Sequence, residues 1–435
     1  MCRRAVQKQM TPVIKRRIEQ LQHGEVPEGY KKTKVGIVPI EWEETRFKKM
    51  FSRVTRKNNE NNDNVLTISA QYGLINQRDF FNKDIASDDK SNYFLLENGE
   101  FAYNKSYSNG YPFGALKRLD MYDKGIVSPL YICFAATKEN KCPDFYVHYF
   151  EAGKMNREIQ AFAQEGARNH GLLNIAVDDF FNSNIIVPSA PEQEKIAKIL
   201  SEQDKLIALK EEVIVEKKRQ KKAFMQQLLT GKKRLPGFGE DWALYNLSDL
   251  ATPINQKAGT EQYEILSISA GIGFVNQARK FGKEIAGEQY KNYTVLHQYE
   301  FSYNKGNSKR YPQGCIYPLE DRICAAVPNV FISFKLDERK CFYGFYKYLF
   351  EYGYLNRQLY RLINSGVRND GLLNLYDEDF YNCVVPVPSY NEQEKIATFF
   401  LALDREIALL ENTLREEKQK KKALMQLLLT GIVKV

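Results

Sequence analysis

Two long stretches of the chain carry apolar residues at helical spacing and contain neither Pro nor Gly. From Glu192 to Gly231 the stripe is Ile196, Leu200, Ile207, Ile214, Phe224 and Leu228. From Glu392 to Gly431 it is Ile396, Phe400, Leu403, Ile407, Leu410, Leu414, Leu424 and Leu428. About 38 residues at roughly 1.5 Å each give a rod on the order of 55 Å long. The stripe is too narrow for a globular domain to wrap along its whole length. Each rod therefore needs a partner, and the nearest candidate is the other rod. Ser189-x-x-Glu192 and Ser389-x-x-Glu392 predict capping boxes at the two starts. Glu192 and Glu194 sit at the positive end of the helix dipole, and Lys217, Lys218, Arg219, Lys221 and Lys222 near the negative end. Gly231 and Gly431, each after a Thr, suit a left-handed residue just past the helix.

Ahead of each rod the pattern changes to short β-branched and aromatic runs, such as 126–134 and 330–334. Turn signals such as Asn98-Gly99 and Asn109-Gly110 punctuate them. These regions (42–188 and 242–388) read as mixed domains with a few helices, one predicted over 143–164 and its equivalent over 341–364. A further short helix is predicted over 12–23, with Thr11-Pro12 at its start and Gly24 at its end. The stretches around Pro27-Glu-Gly-Tyr30 and Leu235-Pro-Gly-Phe238 lead to Trp42 and Trp242.

The two halves are copies. Leu66-Thr-Ile-Ser-Ala70 returns as Leu266-Ser-Ile-Ser-Ala270, and Tyr103-Asn104-Lys105 as Tyr303-Asn304-Lys305. Gly166-Ala-Arg168-Asn169 with Gly171-Leu-Leu-Asn174 returns as Gly366-Val-Arg368-Asn369 with Gly371-Leu-Leu-Asn374. Glu192-Gln-Glu-Lys-Ile-Ala197 returns unchanged at Glu392 to Ala397. One offset of 200 holds throughout, which chance does not produce. The chain thus divides into an N-terminal helical segment (1–29), a first domain (30–188), a spacer helix (189–231), a second domain (232–388) and a second spacer helix (389–435). The predicted fold class is α/β (α+β): two tandem repeated globular domains, each followed by a long helix, with the helices paired as an antiparallel coiled coil about a pseudo-two-fold axis.

With 43% apolar and 13% aromatic residues in 435, the chain is neither disordered nor a small disulfide scaffold. Its net charge of +9 permits a polyanionic partner without specifying one. The seven cysteines show no C-x-x-C spacing and the four histidines are scattered, so no metal site is expected and the thiols read as reduced and mostly buried. No apolar run approaches the roughly 20 residues of a membrane span, and the charged N-terminal stretch has no signal-peptide core. The expected location is the cytoplasm, with no membrane partner.

Catalytic signatures are missing. There is no phosphate-cradling G-x-x-x-x-G-K-[ST] loop, no dinucleotide-binding glycine fingerprint, and no Asn-Pro-Pro-aromatic or Asp-Pro-Pro-aromatic tetrapeptide. His148 is matched by Tyr348 and His170 by Asp370, so no candidate catalytic set recurs. What recurs is Asn, Arg, Lys, Tyr and Gly, which is binding chemistry. The sequence describes a non-catalytic recognition chain.

Globular modules alternating with long helices that open on Glu-Gln-Glu-Lys-Ile-Ala and close on Gln226-Gln-Leu-Leu-Thr-Gly231 or Gln426-Leu-Leu-Leu-Thr-Gly431 resemble the specificity subunits of type I restriction-modification enzymes. The resemblance covers nearly the whole chain. It implies that the globular modules are DNA target recognition domains, each reading one half of a split double-stranded site. It implies that the paired helices set the gap and dock two modification (methyltransferase) subunits, with restriction (endonuclease/translocase) subunits completing the complex. S-adenosylmethionine, ATP and Mg would then be used by those partners, and no cofactor by this chain. The 12–23 helix goes beyond the family's barest plan.

Specific DNA binding needs groups that neutralise phosphates and groups placed against base edges. Residues identical in both copies suit the backbone: Asn104 and Lys105 with Asn304 and Lys305, and Arg168 and Asn169 with Arg368 and Asn369. Residues that differ inside matching loops suit base reading. Gln71, Tyr72, Gln77 and Arg78 stand against Gly271, Ile272, Gln277 and Ala278, with Arg279 one step on. Tyr107 belongs to a second loop, whose other copy carries Lys309 and Arg310; Lys117 and Arg118 are weaker candidates, since Tyr317 and Pro318 replace them. The competing reading of the residues is a stand-alone bipartite DNA-binding regulator, with a structural adaptor third. If the helices are the ruler, four residues inserted within 205–220 change the gap between half-sites and leave each half intact, as a methylation map would show; altered halves would contradict it.

Overall fold

The computed structural model describes residues 12–69, 72–81, 90–107, 110–165, 173–282, 287–306, 310–363 and 373–435. They form two units, Met1–Lys210 with Thr413–Val435, and Glu211–Asn412. The division falls inside the long helices rather than at their ends, so each helix belongs partly to each unit.

In the first unit an antiparallel sheet runs in the order Phe51–Arg53, Ile132–Ala136, Phe101–Asn104, Ala115–Arg118. Beside it lie the hairpin Leu66–Ser69/Gly73–Asn76 and the pair Phe94–Glu97/Lys124–Val127, joined by a parallel bridge from Val65 to Ile126. The second unit repeats this with Ala251–Pro253, Ile332–Leu336, Phe301–Asn304 and Cys315–Pro318, and with the hairpin Leu266–Ser269/Gly273–Asn276. Strand alternation sends aromatic rings to one face, where Phe101 stacks on Phe134 at 5.2 Å and Tyr103 on Phe180 at 5.1 Å. The second unit stacks Phe301 on Phe334 at 5.5 Å and Tyr303 on Phe380 at 5.0 Å.

The helix expected over 143–164 is two helices, Pro143–Glu151 and Asn156–Phe162, and its counterpart is Tyr343–Tyr352 and Asn356–Leu362. The break falls at Gly153 and Gly353, which adopt left-handed φ values of 66° and 80°. The left-handed φ itself ends the first helix, and in that conformation a Cβ at Gly153 would lie 2.7 Å from the Asn156 side-chain amide. The N-terminal helix spans Pro12–Gln22 and ends before left-handed Gly24. Its Arg17 guanidinium donates to the Ile432 carbonyl and lies over the Tyr30 ring.

The long helices are Ala190–Leu228 and Tyr390–Leu428, 39 residues each. Their sequence motifs explain how each is fastened, and differently from the expected capping boxes. The Glu192 carboxylate accepts from the Trp42 indole at 2.8 Å, and Glu392 from Trp242 at 2.9 Å and from Nε and Nη2 of Arg234. A carboxylate turned to the tryptophan does not reach back to its own N-cap. The neighbouring glutamines donate to the Pro188 and Pro388 carbonyls at 2.8 and 2.9 Å, locking the strand-to-helix corner. At the far ends Gly231 and Gly431 are left-handed; a Cβ at Gly231 would press on the Trp242 ring, and one at Gly431 would clash with Pro39 and touch Trp42. One tryptophan therefore gathers the start of one helix and the end of the other within each unit.

The helices run antiparallel. In the first unit Gln203 donates to the Glu417 carboxylate at 2.9 Å and Asp204 pairs with Lys421 at 2.5 Å. In the second, Lys217 pairs with Glu406, Lys218 with Glu411 and Lys221 with Asp404, all within 2.7 Å. Exposed pairs of this kind are worth about 0–1 kcal/mol each; they set register. Burial does the rest, because Ile196, Ala197 and Leu200 from one helix and Met425, Leu428 and Leu429 from the other complete the first core. Ile396 and Phe400 with Met225, Leu228 and Leu229 complete the second.

Where helix meets module, the copies differ at His148 and its partner Ser201, which become Tyr348 and Leu401. His148, 3% exposed, shares its Nε2 with Ser201 Oγ at 3.0 Å, and its Nδ1 lies 3.7 Å from Asp204, itself held by Lys421. In the other copy Tyr348 donates to Asp404 at 2.8 Å. Burial pulls the His148 pKa below 6.5, against the pull of Asp204, Asp144 and Glu151 and with that of Lys421. As pH falls below 6.5 the unfolded chain takes up a proton that the folded chain refuses, so stability is lost. His148→Tyr is expected to flatten this loss, read as the urea midpoint between pH 7 and 5; an unchanged slope would show that His148 does not carry it.

Candidate nucleic-acid interface

In each unit the strand Phe101–Asn104 or Phe301–Asn304 ends in the repeated Asn-Lys pair. Asn104 Oδ1 accepts from the Ser106 amide at 3.0 Å, and Asn304 Oδ1 from the Gly306 amide at 2.9 Å. These are Asx turns, so the asparagine oxygens hold the loop rather than a ligand. Tyr103 and Tyr303 donate to the Phe113 and Gln313 carbonyls, both at 2.7 Å, closing the loop's base from the other side. Gly114 and Gly314 complete the stem, with φ of 79° and 76°. A Cβ there would sit 2.9 and 2.7 Å from the Tyr103 and Tyr303 rings.

The central residue of each Asx turn is the repeated lysine. Leu173 donates its amide to the Lys105 carbonyl at 3.1 Å, and Leu373 to Lys305 at 2.9 Å. Arg168, Asn169, Arg368 and Asn369 lie outside the described residues. The described residues Leu173 and Leu373 are thus brought to the lysine loop from over 60 residues away in sequence, in both modules. Burial holds the Lys105 ammonium below the usual lysine range. Lys305 lies 3.7 Å from the exposed Asp377 carboxylate, whereas position 177 is valine. The two lysines therefore offer different net charge.

Tyr107 and Arg310 stand exposed on the same loops, Arg310 over the Tyr311 ring; Lys309 lies outside the described residues. The second group of candidates sits on the hairpins. Tyr72 is 64% exposed at one tip and Ile272 75% exposed at the other. Gln71 lies outside the described residues. Arg78 and Arg279 are exposed on short helices begun by Asn76 and Asn276, whose side chains accept from the Arg78 and Arg279 amides. Gln77 is half-buried. Gln277 departs from expectation: it is 4% exposed, its amide donates to Tyr293 Oη at 3.3 Å, and it is withdrawn from the surface. The weaker candidates Lys117 and Arg118 are engaged by Glu151 and by Asp120 and Asp144.

Sequence comparison passed over the supports beneath the second hairpin. Tyr317 accepts the Gly271 amide on its hydroxyl at 2.8 Å, and Lys280 donates to the Ile268 carbonyl at 2.8 Å. Arg322 bonds Glu264 at 2.6 Å and pairs with Asp321, and these bonds raise its already high pKa. Lys280, Arg322, Glu264 and Asp321 border, with Arg279, a cleft of about 510 Å³ under the tip. The signal was present in the substitutions of Lys117 by Tyr317 and Tyr122 by Arg322, but a single residue change does not reveal which loop it props.

No group of three or more metal-ligating side chains and no helix suited to crossing a membrane occurs among the described residues. The described residues thus form two repeated modules with paired loops, each sealed by an antiparallel helix pair, and the chain is similar to type I restriction-modification proteins in sequence and in fold. The chain is 23% identical over 433 residues to a Methanocaldococcus jannaschii protein assigned as the specificity subunit of the type I restriction enzyme MjaX, covering 94% of this chain and 97% of the relative. A solved structure of a type I restriction-modification system, 13% identical, superposes with a TM-score of 0.55 over 91% of this chain and 99% of its own. No protein-family model matches the chain.

The loop stem gives a direct test of geometry. Gly110 and Gly114 share a left-handed φ, but a Cβ meets nothing within 4 Å at Gly110. Gly110→Ala should cost roughly 1–2 kcal/mol from conformation alone. Gly114→Ala should cost more and disturb DNA binding, as urea unfolding and a gel-shift titration would show; equal costs would remove the stem's role.

Proposed function

We propose that this chain is the sequence-recognition subunit of a type I restriction-modification enzyme. It binds a bipartite double-stranded DNA site through its two modules and docks methyltransferase subunits, with restriction subunits joining the complex. The observation that supports this best is the twofold convergence of the Asn-Lys strand end with the residue that closes the Arg-Asn-x-Gly-Leu-Leu segment. Cations on loops with fixed stems suit phosphates, and the differing hairpin residues beside them suit base edges. S-adenosylmethionine, ATP and Mg belong to the partner subunits in this reading, and the protein works in the cytoplasm.

The experiment is co-expression with the neighbouring methyltransferase and restriction chains, followed by purification and a genome-wide map of N6-methyladenine. A stable complex and a methylated two-part motif are expected. Lys105→Ala should weaken binding to every sequence and lower the salt slope by about one. Arg78→Ala should change the preferred base in one half-site only. The reverse pattern would contradict these assignments, and methylation that is independent of this chain would contradict the function.

A further inference from the structure

The hairpin tip of the second module is stiff and ends in a side chain with no polar atom. The Ile272 amide closes a turn onto the Ser269 carbonyl at 3.0 Å, and Gly271 and Gly273 take left-handed φ values of 83° and 102°. The Tyr317 hydroxyl holds the Gly271 amide, and Tyr311 packs so closely that a Cβ at Gly271 would lie 3.0 Å from its hydroxyl. Folding gains nothing from a β-branched residue displayed in water at such a turn, yet Ile272 is 75% exposed. The cleft beneath it mixes apolar Phe274 and Val275 with charged groups: Arg322 is paired with Glu264 and Asp321, and Arg279 and Lys280 add cations. The matching tip of the first module also shows a large side chain, Tyr72, which carries a hydroxyl where Ile272 has none.

Base edges in the major groove offer donors, acceptors and one apolar group, the C5-methyl of thymine. An isoleucine pressed against a base edge gains by covering that methyl. Against cytosine it would strand an amino donor without a partner. Resting on the DNA-recognition reading above, we propose that Ile272 reads a thymine by its methyl group in the half-site bound by the second module, with Tyr317 as a positioning residue that holds the tip in place.

Uracil differs from thymine by that methyl alone, which makes the test specific. The assembled complex is offered two randomised duplex libraries, one with thymine and one with uracil throughout. The selected site is then rebuilt with single uracils. One uracil in the second half-site should weaken binding about fourfold, the worth of one buried methyl, and this discrimination should vanish in Ile272→Ala. Tyr317→Phe, which keeps the ring and removes only the hydroxyl, should reduce it while leaving first half-site preferences unchanged. The proposal is overturned if the second half-site specifies no thymine, if uracil is tolerated throughout it, or if Ile272→Ala keeps the discrimination. Loss of affinity in Ile272→Ala that is equal for both bases would mark a wedge between base steps and would also overturn it. Failure to select any sequence would instead bring down the DNA-recognition reading, an outcome distinct from the others.

Discussion

Neither module can finish its own hydrophobic core. The first lacks an apolar wall until Ile196 and Leu200 arrive from the start of one long helix and Leu428 and Leu429 from the end of the other. The second needs Ile396 and Phe400 with Leu228 and Leu229 in the same way. Within each unit the core is thus closed by residues from both long helices. Removing either helix end exposes apolar surface at roughly 25 cal/mol per Å², far more than the surface ion pairs between the helices could repay. The ion pairs choose register and direction; the buried ends supply the stability.

The residues that recur at the helix boundaries are those this closure needs. A buried carboxylate is costly without donors, and each is met by a tryptophan indole from the opposite side of the junction. The second junction adds Arg234, while in the first Glu192 Oε1 has no hydrogen-bond partner. The glycine that ends each helix leaves room for the same tryptophan ring. A motif that reads as a helix start is thus a three-way joint of lead-in, helix start and helix end.

The broad plan was legible because it rests on periodicity and repetition. A single offset exposes the duplication, and uninterrupted heptad-like spacing exposes the two helices. The misses were local and have local causes. The Ser-x-x-Glu pattern predicts a capping box, but a long-range indole donor outcompetes the glutamate's own N-cap, and a distant Trp42 cannot be placed from spacing. Gly153 looks tolerable within a helix, but its left-handed φ ends the helix there. Gln277 resembles Gln77 in sequence, yet Tyr293 offers its amide a buried partner. Arg78 and Arg279 lie at the surface because Asn76 and Asn276 fix the backbone beneath them, whereas a remote tyrosine decides the fate of Gln277.

The stem formed by Tyr103, Asn104 and Gly114, and again by Tyr303, Asn304 and Gly314, separates two kinds of evolutionary pressure. Its hydrogen bonds run to backbone groups, which every amino acid possesses. The exposed part of the loop, between the lysine and the tyrosine that packs back on the core (Lys105 and Tyr111, Lys305 and Tyr311), can therefore be rewritten with little effect on the packing below. Diversity in the target would then accumulate through exchange of short inserts, while the framework that presents them drifts slowly.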